Sequence, residues 1–215
     1  MYRKIGKRTI DVTASLLGLL LFFPLLLIIA IAIQIDSRRG VIFTQIRLGQ
    51  NQKKFKIYKF RTMIPGAYEQ GGIVTGFDDN RITRIGAFLR KTSLDESLQL
   101  INILKGDMSI IGPRPILPSE FEEYANMTHY YVRFDVRPGL FCTVDLDFRA
   151  SASRELQFEM DADYCENIKF AVDFGLFFRI IKTVLTGKNV YKGISSEDSF
   201  LQETKSLSSD EYITK

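Results

Sequence analysis

The sequence predicts an α+β fold, mainly helical with a small β-hairpin or sheet, carried on an N-terminal re-entrant (helix-break-helix) membrane anchor. Three observations predict it: an uncharged apolar run interrupted at its middle by Pro24, two β-rich segments around a Gly-Gln-Asn-Gln turn, and later segments whose apolar residues recur at helical spacing. A chain of 215 residues has room for one domain with appendages. The expected division is an anchor over 1–36, a cytoplasmic domain over 37–190 and a polar tail over 191–215.

The run VTASLLGLLLFFPLLLIIAIAIQI fills the 24 positions between Asp11 and Asp36. As a straight helix it would measure about 36 Å, against about 30 Å of bilayer hydrocarbon. Ala30-Ile31-Ala32 mimics a signal-peptide cleavage site, but the apolar stretch continues past it through Ile33 and Ile35, which argues against removal. Both flanks are basic. Arg3, Lys4, Lys7 and Arg8 precede the run; Arg38, Arg39, Arg47, Lys53, Lys54 and Lys56 follow it. Basic flanks prefer the cytoplasmic side, so a full crossing strands one cluster. Pro24 removes a helical N–H and leaves arms of 12 and 11 residues, each reaching about half-way through the layer. A hairpin of two half-helices satisfies both constraints. A kinked full span is the rival, since membrane helices tolerate proline.

Beyond the anchor, VIFTQIRLGQNQKKFKIYKFRTM reads as a hairpin whose far strand is basic, with Phe55 and Ile57 set against Lys56 and Lys59. Residues 66–80 are rich in Gly and Asp and read as a loop; IGAFLRK and SLDESLQLINIL have helical spacing; IGPRPILP is a proline-stiffened loop. A helix is expected over 119–131, then an extended RPG turn, then a last helix over 168–185. Phe170, Phe174, Phe177, Phe178, Ile181 and Leu185 make that helix apolar over much of its circumference, suited to the core or to the bilayer surface.

Composition narrows the chemistry. Cys142 and Cys165 offer neither a disulfide framework nor a zinc site, which suits a reducing cytosolic setting. With His129 the single histidine, triads and metal sites needing several imidazoles are excluded, and the reactive roles fall to carboxylates, lysines and hydroxyls. The net charge of +4 hides an asymmetry: residues 1–91 hold 16 Lys or Arg against 5 Asp or Glu, and the remainder 13 against 20. The basic half suits an anionic partner.

Asp95 and Glu96 are the carboxylates of interest. Ser93 and Glu96 match a capping box, which accounts for Glu96 only. Asp95 would then sit in the first helical turn, where the dipole favours an ionised nucleophile or metal ligand. Lys59, Arg61, Arg84, Arg90 and Arg114, the last between Pro113 and Pro115, are ordinarily solvated surface charges. Around a carboxylate pair in a membrane-anchored chain they suggest a site for a polyphosphate and its metal ion. No G-x-x-x-x-G-K-[ST] and no G-x-G-x-x-G occurs, so any nucleotide site has another design.

The strings KFRTM at 59–63, RITRIGAFLRKTSLDESLQLINILKGDMSIIGPRP at 81–115 and RPG at 137–139 resemble the bacterial sugar transferases, small monotopic phosphoglycosyl transferases acting on polyprenol phosphate. The resemblance runs from about residue 4 to 185. It implies transfer of a phosphosugar from a UDP-sugar to undecaprenyl phosphate on the cytoplasmic face of the inner membrane, with release of UMP and with Mg²⁺ as cofactor. It also implies Asp95 as the nucleophile that forms an aspartyl-phosphosugar intermediate and Glu96 as a magnesium ligand. Lys59, Arg61, Arg90, Arg114, Arg137 and Arg149 fall on family motif positions and are expected at substrate phosphates. The expected partners are the UDP-sugar, undecaprenyl phosphate and membrane lipids, with a homodimer permitted and nucleic acid not expected.

The chain departs from the family pattern in three places. Phe23 stands where many members carry Ser before the anchor proline, Leu98 replaces a common proline, and FCTVDLDFR at 141–149 replaces TGLAQVNGR. The last puts Asp145 where a glutamine is expected, so the family sugar does not carry over. Two other classes compete: a membrane-tethered basic protein that binds nucleic acid or anionic lipid without catalysis, and a scaffold that keeps the fold but has lost activity through the 141–149 stretch.

Overall fold

The computed structural model describes residues 2–37, 40–67, 79–144 and 153–186. Asp145, Arg149 and the expected polar tail lie outside them.

The chain begins with a π-helical turn, Tyr2–Gly6, that passes into α1, Lys7–Ser37. α1 continues through Pro24, and the interruption expected there is not present. Proline forfeits one helical hydrogen bond while the ladder closes on either side of it, so the cost is local. The helix is inverted relative to those of water-soluble proteins. Leu20, Leu21, Phe23, Ile28 and Ile35 are exposed, Leu21 to 75%, while Asp11 and Ser15 are buried. A continuous apolar surface of this kind is stable against lipid and not against water, and a helix carrying it associates with a bilayer.

Both ends of α1 are tied to the rest of the fold. Near its start, Arg8 donates through Nη1 to Ile103 O at 2.6 Å and through Nη2 to Leu104 O at 3.0 Å, and Asp11 Oδ1 accepts from Ile110 N at 2.9 Å. At its finish, Arg61 Nη2 donates to Ser37 Oγ at 2.7 Å and Ile85 N to Asp36 Oδ2 at 3.2 Å.

The expected hairpin is present: β1, Ile42–Leu48, pairs antiparallel with β2, Lys54–Phe60, with Ile42 opposite Phe60 and Leu48 opposite Lys54. Its turn uses left-handed backbone at Asn51 (φ 55°) and Gln52 (φ 57°). Next comes α2, Arg84–Thr92, whose N-cap Thr83 accepts from Gly86 N at 3.0 Å. A 3₁₀ turn, Leu94–Leu98, then leads into α3, Gln99–Lys105. The single helix expected for SLDESLQLINIL is thus divided. β3, Ser109–Ile111, pairs in parallel with β4, Gly139–Phe141, a second small sheet that the sequence reading had only as an extended turn. Gly112 and Gly139 permit this contact, because a Cβ on Gly139 would lie 2.2 Å from Gly112 N.

In place of one helix over 119–131 there are two short elements, α4, Pro118–Glu122, and a 3₁₀ helix, Thr128–Asp135. Asn126 and Thr128 favour local turns over helix interior, and Phe121 and Tyr130 pack on Phe158, with Phe134 against Phe121 in the same cluster. Phe158 belongs to α5, Arg154–Glu166, a helix not anticipated from the sequence. α6, Phe170–Thr186, matches the expected last helix and exposes Phe170, Phe174 and Phe178.

Three packing layers bear on the site. Ile29 and Ile33 of α1 pack with Phe60, Leu89 and Leu98, and Ile57 packs with Ile103 and Met108. Buried Asn102 of α3 then imitates a neighbouring strand: its Oδ1 accepts from Tyr58 N at 3.0 Å and its Nδ2 donates to Lys56 O at 2.7 Å. α2 approaches the end of the hairpin so closely that a Cβ on Gly86 would lie 2.0 Å from Thr62 O. Replacing Gly86 by Ala is therefore expected to push α2 off the strand end. The loss is about 3 kcal/mol or more, a fall in Tm of roughly 6–12 °C for a chain of this size, read by thermal unfolding in detergent.

Candidate active site

Ser93 sits in left-handed backbone (φ 57°) as the residue that ends α2 and begins the 3₁₀ turn, and it makes no side-chain capping bond there. The capping box is thus absent. With its first turn 3₁₀ and its cap left-handed, Glu96 turns to another partner: Lys59 Nζ donates to Glu96 Oε1 at 2.6 Å. The pair joins β2 to the 3₁₀ turn and is about a quarter exposed, 23% at Lys59 and 27% at Glu96.

The two carboxylates are adjacent in sequence and opposite in character. Burial, and then the charge of Glu96, raise the Asp95 carboxyl to about 6, against the opposing pull of Lys59 and Arg90. Burial acts on Glu96 in the same direction, but Lys59, Arg114 and Arg47 outweigh it and hold the group at about 2. The surrounding cations are therefore concentrated on Glu96, which remains charged. Asp95 carries the desolvation and the repulsion.

Arg90 is steadied by Nε donation to Thr62 Oγ1 at 2.9 Å. Arg114 is presented by a loop whose backbone is bonded at every turn. Gly112 N reaches Phe141 O at 3.1 Å, Pro113 O accepts from Gly139 N at 2.8 Å, and Ile116 O accepts from Leu48 N at 2.9 Å. Pro115 O accepts from Arg47 Nη1 at 3.2 Å, and Leu117 N donates to Glu120 Oε2 at 2.7 Å. Pro113 and Pro115 have no N–H to satisfy, so the PRP spacing suits a rigid, fully bonded loop.

Of the residues expected at the site, Asp95, Glu96, Lys59, Arg90 and Arg114 form one electrostatic cluster. Arg61 is directed to the finish of α1, where Nη2 also donates to Ser37 O at 3.0 Å. Arg137 donates from Nε to Gly106 O at 2.8 Å and lines a separate cavity of about 510 Å³ with Arg3, Lys7, Arg8 and Ser109. Arg149 lies outside the described residues. Arg47, read in the sequence only as a basic flank, belongs with the cluster through its charge on Glu96. Its place follows from the hairpin register, which sets it opposite Phe55.

Among the described residues, no group of three or more His, Cys, Asp or Glu side chains is arranged to hold a metal ion. Adjacent carboxylates ringed by Lys and Arg suit instead a metal that takes most of its ligands from a bound diphosphate and water, the habit of Mg²⁺.

The fold and site are those of a small membrane-associating domain with a carboxylate pair set among Lys and Arg side chains, and the chain belongs to the bacterial sugar transferase family, whose model matches residues 2–187. Among its relatives is the UDP-N-acetylgalactosamine-undecaprenyl-phosphate N-acetylgalactosaminephosphotransferase of Aeromonas hydrophila, 36% identical over 185 residues, covering 84% of this chain and 44% of that protein. The exopolysaccharide production protein ExoY of Rhizobium meliloti is 35% identical over 201 residues, covering 86% and 88%. The UDP-glucose:undecaprenyl-phosphate glucose-1-phosphate transferase of Klebsiella pneumoniae is 35% identical over 191 residues, covering 86% and 41%. The chain therefore spans less than half of two of these relatives and most of the third.

The raised Asp95 makes a stability prediction. A carboxyl bound to its proton more tightly when folded than when unfolded costs stability as pH rises through the interval, here from its ordinary value of 3.8 to about 6. Asp95→Asn is expected to raise Tm in magnesium-free buffer above about pH 6, by an amount corresponding to less than about 3 kcal/mol. The advantage should disappear near pH 4, so thermal unfolding at the two pH values tests it.

Proposed function

We propose that this protein transfers a sugar 1-phosphate from a UDP-sugar to undecaprenyl phosphate through a covalent aspartyl intermediate, releasing UMP at the cytoplasmic face of the membrane. The observation that carries the reading is the asymmetric pair: Asp95 desolvated and without a salt-bridge partner of its own among the described residues, beside a Glu96 fixed by Lys59. The relatives named for undecaprenyl-phosphate acceptors supply the substrate classes.

In the first half-reaction an Asp95 carboxylate oxygen forms a bond to the sugar-bearing phosphorus. The bond from that phosphorus to the bridging oxygen breaks, and UMP departs with the electron pair. In the second, a phosphate oxygen of undecaprenyl phosphate attacks the same phosphorus, and the Asp95 carboxylate leaves with the electrons of the acyl-phosphate bond. A carboxylate with a pKa near 6 is ionised at neutral pH yet more basic than an ordinary aspartate, which favours attack. Arg114 and Arg90 hold phosphoryl oxygens and stabilise charge that accumulates as the bridging bond breaks. Glu96 would help hold Mg²⁺, which when bound supplies charge neutralisation on the diphosphate.

The anchor fits an enzyme that serves two phases. Arg8 and Asp11 at one end of α1, and Asp36 and Ser37 at the other, bond to the same body of β2, α2, α3 and β3. A helix perpendicular to an apolar layer of about 30 Å would part these ends by the whole layer. Both ends bonded to one body support an α1 that keeps to one face of the layer rather than crossing it. On that reading Asp95 lies near headgroup depth, where a soluble donor and a lipid acceptor can use the site in turn.

Incubating the full chain with Mg²⁺ and a panel of UDP-sugars is expected to give a mass increase of one phosphosugar and release of UMP. Asp95→Asn should abolish both, and an Asn variant that still turned over would end the proposal. The pH–rate profile should fall on its acid side, as Asp95 takes up its proton.

A further inference from the structure

Arg133 and Asp161 form the most deeply buried ion pair among the described residues, with side chains 2% and 0% exposed and Nη2–Oδ2 at 2.7 Å. Both partners also bond to one residue of the PRP loop. Arg133 Nη2 donates to Arg114 O at 2.7 Å, and Arg114 N donates to Asp161 Oδ1 at 3.3 Å. The guanidinium lies over the Phe158 ring at 4.3 Å from its centroid, and its Nη1 is buried without a hydrogen-bond partner among the described residues.

A pair like this is a poor source of stability. Taking two charges out of water costs several kcal/mol apiece, and apolar residues of similar volume often serve a core as well or better. Its geometry is specific, however. The pair grips the N–H and the C=O of Arg114, the one residue of PRP that has both groups to offer and whose side chain acts on Glu96. Neither Arg133 nor Asp161 has the exposure needed to meet a substrate.

We infer that Arg133 and Asp161 are positioning residues: by clamping both sides of the Arg114 backbone they set the direction of its guanidinium toward a substrate phosphate. The inference rests on the reading of Arg114 as a phosphate ligand. A displacement of about 1 Å in such a group is enough to cost on the order of 100-fold in rate. Arg133→Lys keeps the charge and loses the fork. Asp161→Asn keeps the shape and cannot accept from both Arg114 and Arg133.

The test is a double-mutant cycle on the full chain in detergent, read as kcat/KM for UMP release and as calorimetric affinity for UDP. Each single variant is expected to lower kcat/KM by 10- to 100-fold and to weaken UDP binding, with Tm well above the assay temperature. In an Arg114→Gln background the same changes should cost less than about 2-fold, because the group they aim is gone. Equal losses in both backgrounds would make the pair merely structural, and single variants with unaltered kcat/KM and UDP affinity would overturn the role outright. If the unaltered chain released no UMP and bound no UDP, the proposed function would fall and this inference with it. Should Arg133→Lys not fold, Asp161→Asn carries the cycle alone.

Discussion

The structure depends on the unequal treatment of two neighbouring carboxylates. Placed side by side in one 3₁₀ turn, Asp95 and Glu96 repel each other and lose water together. The fold resolves the conflict by directing Lys59 to Glu96 at 2.6 Å and by gathering the fields of Arg47 and Arg114 on the same group. Asp95 remains the strained member, raised by burial and by its neighbour. Two identical functional groups thereby acquire opposite titration behaviour from environment alone, as the proposed division of roles requires.

That arrangement needs β2, the 3₁₀ turn and the PRP loop in register. α3 provides much of it. Asn102 bonds to the edge of β2 as a strand would, Ile103 fills the core against Ile57, and the C-terminal carbonyls of the helix accept from Arg8 of the anchor. Cationic side chains at a helix C-terminus are favourable in themselves, and here they also join the membrane helix to the helix that follows the carboxylates. Five residues of 3₁₀ turn and seven of α3 thus connect the apolar helix to the carboxylate pair.

Much of this was legible in the sequence because it rests on patterns with strong local signatures. The apolar run, the hairpin turn and the last helix each repeat a simple period, and the cluster of Asp95, Glu96, Lys59, Arg90 and Arg114 was nominated from residue type and motif position. What could not be read depended on tertiary partners. Left-handed Ser93 overrode the capping box because Lys59, 37 positions away, offered Glu96 a charged partner. α5 escaped notice because its buried face includes Gln157 and Asp161 beside Phe158 and Tyr164, so the apolar period that marks an amphipathic helix is broken by polar residues, of which Asp161 has its partner Arg133 elsewhere in the fold. Arg61 and Arg137 share the charge and motif status of Arg90, and only the folded chain separates those at the carboxylates from those bonded to Ser37 and Gly106.

The polar residues that defeated the sequence reading share a property. Asn102, Arg133 and Asp161 are buried, bonded to backbone, and set beside a strand or loop that carries a site residue. An apolar side chain at any of these positions would pack, but it would not fix the direction of a neighbouring peptide, since dispersion contacts are non-directional and hydrogen bonds are not. A site that must hold four cations and two carboxylates in fixed relation therefore draws on directional bonds in the core behind it. Such bonds leave no periodic trace in a sequence, which is why these buried polar residues are harder to find than the charged candidates they stand behind.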